Sequence, residues 1–276
     1  MTQKNHSSST RSLAHRITWT ALAIVAIAVV ALDAQAQSAE ERGLEIEHER
    51  DRRDTGWGDS SVNLNMILRN RQGQESSRSL RTSALEQTED GDWSLIVFNE
   101  PRDISGTALL SYTHRVGPDD QWLYLPALKR VKRIASDNKS GPFVGSEFAY
   151  EDLSSQETEK YTFKYLRDEV FDAREHFVIE RYPVDPKSGY TRQVVWLDKE
   201  EYRVWKVEYY DRKESLLKTL TQSDYKEYLD DYWRPLRMDM VNHQTGKSTT
   251  LIFTDYEFRT GQSEGDFNQA TLRRAR

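Results

Sequence analysis

Residues 203–210 read Arg-Val-Trp-Lys-Val-Glu-Tyr-Tyr, and this stretch shows the pattern that decides the fold. Trp205, Val207 and Tyr209 alternate with Lys206 and Glu208. Successive side chains of a β-strand point to opposite faces, so this segment predicts a strand with one apolar and one charged face. Such strands are typical of antiparallel sheets in which one face is buried and the other is solvated.

Similar segments, separated by turn-forming residues, recur along the chain. The pattern predicts strands over 61–69, 74–86, 93–99, 107–114, 121–134, 160–166, 177–182, 190–197, 203–210, 216–228, 234–242 and 249–258. We expect about eleven of these strands in the fold. An antiparallel sheet of that size twists and curls, and its apolar concave face then needs a cover.

Helix-forming sequence is scarce, so few segments can supply this cover. The candidates are a highly charged helix over 38–54, the segment 135–156, and a short helix near 266–274. Because the first of these has only a thin apolar stripe, we expect the concave face to be filled incompletely. An unfilled apolar concavity indicates a binding site for a hydrophobic ligand.

The N-terminus has the organisation of a secretory signal peptide. Three basic residues precede an uninterrupted apolar stretch over 20–32, and the small residues Ala34 and Ala36 follow it. This order predicts cleavage after Ala36, with residues 1–36 removed and 37–276 forming one domain. The apolar stretch is shorter than the roughly 20 residues of a membrane-spanning helix. We therefore predict a soluble periplasmic protein.

Composition excludes several classes of function. Residues 37–276 contain 36 basic and 44 acidic side chains, a balance that disfavours nucleic acid as a partner. The chain has no cysteine. The mature protein therefore lacks both disulfides and the attachment point of a bacterial lipoprotein, and its core alone must stabilise the fold.

One long segment carries a family resemblance. Residues 121–134 read Gln-Trp-Leu-Tyr-Leu-Pro-Ala-Leu-Lys-Arg-Val-Lys-Arg-Ile, and 140–150 read Ser-Gly-Pro-Phe-Val-Gly-Ser-Glu-Phe-Ala-Tyr. Together with the runs at 53–59 and 68–73, this stretch resembles the signature of outer-membrane lipoprotein-sorting proteins, relatives of the periplasmic lipoprotein carrier LolA. The resemblance extends over 40–276.

The resemblance implies an α+β fold that is predominantly antiparallel β, an unclosed half-barrel with a helical and loop lid over a hydrophobic cavity. It implies a carrier that shields an acyl chain, lipid or lipoprotein during transfer towards the outer membrane. An inner-membrane transporter of hydrophobic molecules and an outer-membrane acceptor are the partners that it suggests. No cofactor is implied. The alternative function is an accessory module that docks on such a transporter and binds no lipid.

The same segment contains the candidate binding residues. The Gly-Pro-flanked turn at 140–145 is expected to expose Phe143 and Val144 as a mobile lid, although such loops are often simply packed against the core. The residues that we predict to line the cavity or the lid are Trp122, Tyr124, Leu125, Phe143, Val144, Phe148 and Tyr150.

A basic cluster lies within the predicted strand 121–134. Lys129, Arg130, Lys132 and Arg133 are four cations within five residues of a net negative chain. They could contact lipid phosphate or an acidic partner surface. The alternative is that they form an ordinary solvated strand end.

Catalytic and metal-binding patterns are not supported. Ser136 and Lys139 have the Ser-x-x-Lys spacing of penicillin-interacting enzymes, but a strand precedes them and a Gly-Pro loop follows, whereas that chemistry needs the serine at the start of a helix. The four histidines after residue 36 lack the spacing of metal ligands. Asp230 and Asp231 fit a turn better than an acid/base pair. We therefore expect no catalytic site, metal or cofactor.

Overall fold

A computed structural model describes residues 1–2 and 37–274 of the 276-residue chain. The predicted signal peptide lies outside the described residues except for its first two. The elements of the described part are α1 (Ala39–Arg53), β1 (Asp59–Arg69), β2 (Glu75–Leu85), β3 (Trp93–Glu100), β4 (Ala108–Tyr112), β5 (Asp120–Leu125), β6 (Arg130–Arg133), β7 (Tyr161–Phe171), β8 (Arg174–Pro183), β9 (Tyr190–Asp198), β10 (Val204–Asp211), β11 (Leu216–Tyr228), β12 (Tyr232–Asn242), β13 (Ser248–Phe258) and α2 (Gln269–Arg274).

The thirteen strands form one antiparallel sheet in the order β6-β5-β4-β3-β2-β1-β13-β12-β11-β10-β9-β8-β7. Strand β1 pairs with β13, so the first and last strands of the sheet lie side by side in its middle. Strands β6 and β7 are its two unpaired edges. The sheet is therefore unclosed, and the predicted open half-barrel is confirmed.

The segment 134–160 connects the two edge strands. Its buried side chains Ile134, Phe143 and Phe148 belong to the main core cluster. Helix α1 contributes Ile46 to the same cluster and packs along β7, where Gly43 approaches the backbone of Lys164 so closely that a Cβ atom would lie 2.8 Å from its nitrogen. The face that helix α1 and the segment 134–160 cover is the concave face of the half-barrel.

The opposite face of the sheet carries two smaller clusters. Phe267 and Leu272, at the C-terminal end, pack on Val97 and Leu110 of β3 and β4. Val178, Val194 and Trp196 form the other cluster on β8 and β9. The C-terminal helix therefore covers the outside of the sheet and takes no part in covering the concave face.

The predicted strand 121–134 is two strands in the structure, and this part of the prediction is wrong. A 3-10 turn at Pro126–Leu128 ends β5, and Lys129, with a φ of 48°, turns the chain back into β6. The pairing places Trp122 opposite Arg133 and Leu123 opposite Lys132. Because facing residues of antiparallel strands share a face, Arg133 lies on the same face as Trp122, and Lys132 lies on the same face as Leu123.

Strand β10, which contains most of the alternating stretch 203–210, also has an irregularity. Val207 and Tyr209 lie in the main core as predicted, and Lys206 forms an ion pair with Glu208 at 2.6 Å on the other face. The register shifts between Val204 and Lys206. This bulge brings Val204 to the concave face together with Val207.

Candidate functional site

The concave face of the sheet contains a cavity of about 730 Å³ under helix α1. We call this cavity the hollow. Its walls come from α1, from the end of the segment 134–160, and from strands β8 to β12. Its volume lies within the range of about 300–1,000 Å³ that is typical of small-molecule sites.

Apolar and aromatic side chains form much of the wall of the hollow. Those from the sheet are Val204, Val207, Tyr209, Leu220, Tyr225, Trp233 and Met238, and Phe148 comes from the segment 134–160. Val207, Tyr209 and Leu220 also belong to the main core. The wall that the alternating strand pattern predicted is therefore present.

Arginine is the feature of the lining that the sequence did not predict. Six arginines line the hollow, at positions 50, 52, 53, 181, 203 and 234. Five carboxylates lie with them, at positions 54, 92, 152, 201 and 231. The hollow is therefore amphipathic, and an apolar ligand in it would lie beside fixed charges.

Two of these arginines, Arg50 and Arg181, form a cluster of three with the buried Glu47, which does not itself line the hollow. Both oxygens of the Glu47 carboxylate accept hydrogen bonds from Nη2 of Arg181, at 3.1 and 2.9 Å, and Oε1 also accepts one from Nε of Arg50 at 2.6 Å. Glu47 is 1% exposed and Arg181 is 5% exposed. Burial alone would raise the pKa of Glu47, but the attraction of Arg181 and Arg50 outweighs it and lowers that pKa below its usual value.

A second buried ion pair borders the hollow. Nζ of Lys218, on β11, donates to Oδ2 of Asp152 at 2.5 Å and to the carbonyl oxygen of Glu147 at 2.9 Å. Asp152 also accepts a hydrogen bond from the hydroxyl of Tyr190 at 2.8 Å. This pair fixes the segment 134–160 to the floor of the sheet where the hollow begins.

Two ion pairs lie at the mouth of the hollow, one between partly exposed side chains and one in which the arginine, Arg234, is 16% exposed. Arg53 pairs with Glu201 at 2.9 Å, and Asp54 pairs with Arg234 at 2.6 Å. Glu201 and Asp54 are both more than two-fifths exposed. A pair as exposed as that of Arg53 with Glu201 contributes about 0–1 kcal/mol, so Arg53, the last residue of α1, is only weakly tied to the sheet, whereas Arg50 one turn earlier is held by Glu47 and by the carbonyl oxygen of Gln156.

Asp92, just before β3, is a lining carboxylate without a cation within 4 Å among the described residues. Burial, followed by the nearby carboxylates Glu157 and Glu86, raises the pKa of Asp92 to about 7, although a hydrogen bond from the backbone N–H of Gln87 opposes this shift.

The predicted lid residues lie in different places. Phe143 is fully buried, with its ring 5.5 Å from that of Phe98 and 5.7 Å from that of Tyr150. The expectation that the turn exposes Phe143 is therefore wrong. Val144 and Tyr150 are partly buried against the same core. Of the four predicted lid residues, Phe148 lines the hollow.

The predicted cavity residues of β5 divide between the two faces. Leu125 packs against the main core on the concave face. Trp122 and Tyr124 lie on the outer face beside Phe267 and Leu272. None of the three lines the hollow. The structure thus separates residues that the sequence analysis grouped in one site.

The predicted basic cluster lies on the β5–β6 hairpin at the edge of the sheet. Arg133 forms an ion pair with Asp120, whereas no carboxylate of the described residues lies within 4 Å of Lys129, Arg130 or Lys132. Leu128 at the tip is 62% exposed. The hairpin therefore presents three free cations beside an exposed apolar side chain.

Comparison with known proteins places this geometry in a family. A family model described as an uncharacterized protein matches residues 90–274. A crystal structure of a domain assigned to outer membrane lipoprotein sorting in Vibrio parahaemolyticus is 60% identical over 85% of this chain and 99% of that one, with a TM-score of 0.84. The chain belongs to this outer-membrane lipoprotein-sorting family.

Two further structures support the family's fold. A DUF1329 family protein from Desulfovibrio piger is 28% identical over 85% of this chain and 99% of its own, with a TM-score of 0.80. A LolA superfamily protein from Nitrosomonas europaea is 21% identical over 86% of this chain and 100% of its own, with a TM-score of 0.67. A search among curated proteins found no match.

The described part of the chain has neither a metal-binding cluster nor a membrane-spanning helix. Residues 37–274 contain no group of three or more histidine, aspartate or glutamate side chains arranged to hold a metal ion. Within the described residues, no helix has the length and hydropathy needed to cross a membrane.

Proposed function

We propose that this family member is a periplasmic carrier that holds an acyl chain, a lipid or a lipoprotein in the hollow and delivers it towards the outer membrane. The observation that carries the proposal is the 730 Å³ hollow on the concave face of a LolA-like sheet. Burial of each methylene group of a ligand contributes about 0.8 kcal/mol, so one alkyl chain lying along the apolar part of the lining supplies enough free energy for binding.

The uneven attachment of α1 suits a carrier. Glu47 anchors the middle of the helix through its buried contact with Arg181, whereas the C-terminal end is held at the mouth by exposed pairs such as Arg53 with Glu201. Opening the mouth therefore costs little compared with detaching the helix. A ligand could enter and leave there, with release driven by tighter binding to an acceptor.

The basic hairpin is the part of the surface that we assign to membrane contact. Its three free cations and the exposed Leu128 fit a surface of anionic lipid headgroups. In this proposal the hairpin approaches the membrane of a transporter or an acceptor while the hollow holds the ligand.

Mass spectrometry of organic extracts from natively purified protein tests the proposal most directly. We expect co-purified lipid at a constant molar ratio to protein. Background levels alone would favour the other candidate, an accessory module that docks on an inner-membrane exporter and carries no lipid.

A pair of matched variants locates the binding site. Val204, on β10, lines the hollow, and Val241, on β12 two strands away, is 42% exposed. Val204→Trp should occupy part of the hollow and weaken binding of a fluorescent fatty-acid analogue by about tenfold or more, whereas Val241→Trp should leave binding unchanged. Wild-type affinity in folded Val204→Trp protein would exclude the hollow as the binding site.

A further inference from the structure

The cluster of Glu47, Arg50 and Arg181 contains two positive charges and one negative charge. Arg50 and Arg181 both line the hollow, and within 4 Å the described residues give this pair one carboxylate, Glu47. Asp51 and Asp54 lie at longer range beside Arg50. Arg50 thus has further carboxylates nearby, whereas Arg181 shares its one carboxylate partner within 4 Å among the described residues, Glu47, with Arg50.

Arg181 also has an unused hydrogen-bond donor. Its Nη2 atom donates to Glu47, but its Nε atom is buried and has no acceptor among the described residues. A buried donor of a charged group without an acceptor is strongly unfavourable. Its two strand neighbours in register, Phe163 on β7 and Gln193 on β9, supply no carboxylate.

Two carboxylates of the wall have partners other than Arg181, and none of the five lies within 4 Å of the Arg181 nitrogens. Asp152 pairs with Lys218, and Asp54 pairs with Arg234. Because Arg181 lines the hollow, an anionic group of a bound ligand can supply the acceptor that the described residues do not. Planar guanidinium groups bind carboxylates and phosphates in preference to neutral acceptors.

We infer that the ligand of the hollow is an anionic amphiphile, whose carboxylate or phosphate head binds Arg181 and whose alkyl tail lies along Val204, Val207 and Leu220. The inference rests on the proposed carrier function and specifies its ligand class. The geometry on which it depends is the buried Arg181 side chain in the same lining as these three apolar residues. Lipid and free fatty acid share this chemistry and differ in the head group.

Competition binding to the delipidated full protein tests the inference. A neutral apolar fluorophore, N-phenyl-1-naphthylamine, fills the hollow, and hexadecanoate, hexadecyl phosphate and hexadecanol compete for it. All three have the same tail and differ only in the head. We expect at least one of the two anions to displace the fluorophore at concentrations about tenfold or more below that of the alcohol, because a charge-assisted hydrogen bond is replaced by a weaker one.

Two arginine variants test whether Arg181 causes the preference for an anionic head group. Arg181→Met should reduce the preference for the anion to about threefold or less while hexadecanol still competes. Arg192→Met is the matched control, because Arg192 is also a strand arginine paired with a glutamate, Glu180, and lies outside the lining of the hollow. The control should keep the wild-type preference.

The outcomes separate the two proposals. Equal displacement by the alcohol and both anions in the wild-type protein would overturn the inference and leave the carrier function intact. Failure of all three compounds to displace the fluorophore would contradict the carrier function itself. The stronger of the two anions identifies the head group, and the wild-type measurement decides the inference even if Arg181→Met does not fold.

Discussion

The concave face of this protein has two halves that are filled differently. Over β2 and β3, the segment 134–160 inserts Phe143 against Phe98, and Arg78 donates a hydrogen bond to the carbonyl oxygen of Val144. Over β8 to β12, helix α1 leaves the 730 Å³ hollow with its apolar and arginine lining. One half is closed by the protein's own side chains, and the other is open to a ligand.

In the proposed carrier, this difference would let an open sheet be stable without a ligand and still bind one. The filled half supplies close packing that does not depend on a ligand, and the boundary between the halves is fixed by the buried pair of Lys218 and Asp152. The cover of the hollow can then remain weakly tied at its mouth. Three predictions test this difference: one concerns packing in the filled half, one the ionisation of a carboxylate at the hollow, and one the surface charge at the edge of the filled half.

The largest effect on stability is expected from Phe143→Ala in the filled half. Phe143 is 0% exposed, so its truncation should lower the free energy of unfolding by about 3–5 kcal/mol. Urea denaturation followed by tryptophan fluorescence measures this loss. Binding per folded molecule should change little, because Phe143 does not line the hollow.

Phe143→Leu is the control for this prediction, because it keeps most of the apolar volume and should lose less stability. A loss below about 1 kcal/mol for Phe143→Ala would show that the segment does not fill this half of the sheet. A selective loss of ligand binding at unchanged stability would support the original expectation of a mobile lid.

The sequence predicts the sheet well because alternation is a local pattern. All twelve candidate segments form strands and one of them divides at Pro126–Leu128, so the sheet has thirteen strands where about eleven were expected. There an apolar run over 122–128 gives way to a mainly basic run over 129–133 with no glycine, asparagine or aspartate between them, so the usual turn-forming residues do not reveal it. Pro126 was the available signal, because proline ends or bends a strand and donates no backbone hydrogen bond.

The site was less predictable because its contacts join distant residues. The contact of Glu47 with Arg181 spans 134 positions, and nothing local indicates it. A partial signal exists in α1, where the buried positions Gly43, Ile46 and Glu47 follow the spacing of one helix face. A glutamate on that face indicates a buried partner. Phe143 was misjudged because its flanking glycines and proline indicate a loop but not whether the loop is packed.

A smaller effect on stability, with a defined pH dependence, is expected from Asp92→Asn at the edge of the hollow. Burial and the neighbouring carboxylates Glu157 and Glu86 raise the pKa of Asp92 to about 7, above its usual value of 3.8. The folded state therefore binds a proton that the unfolded state has lost between about pH 4 and 7. This side chain lowers stability as the pH rises through that window and has no further effect above it.

The asparagine variant should remove this penalty and still accept the hydrogen bond from the N–H of Gln87, which lies 3.1 Å from Oδ1 of Asp92. We expect equal thermal stability of variant and wild type near pH 4, and a variant that is more stable by about 1–3 kcal/mol at pH 8. Melting curves of both proteins across this range measure the difference. A constant difference at all pH values would show that Asp92 does not titrate in this window.

The smallest effect on stability is expected at the β5–β6 hairpin, which lies at the edge of the filled half. Replacing Lys129, Arg130 and Lys132 together by glutamine should change the free energy of unfolding by less than about 0.5 kcal/mol, since their side chains are largely solvated and unpaired. Binding to vesicles that contain phosphatidylglycerol should weaken by about tenfold or more, because each cation near an anionic surface contributes about 1 kcal/mol.

A second triple variant separates the site from the net charge. Lys213, Lys226 and Lys247 are exposed lysines elsewhere on the sheet and its turns, and their replacement by glutamine changes the net charge by the same amount. If both variants lose vesicle binding equally in a flotation assay, the hairpin has no special role. If only the hairpin variant loses it, the filled half contributes to transfer through its outer edge. The two halves would then have different roles: the half with the hollow would hold the ligand, and the filled half would contact the membrane through the β5–β6 hairpin.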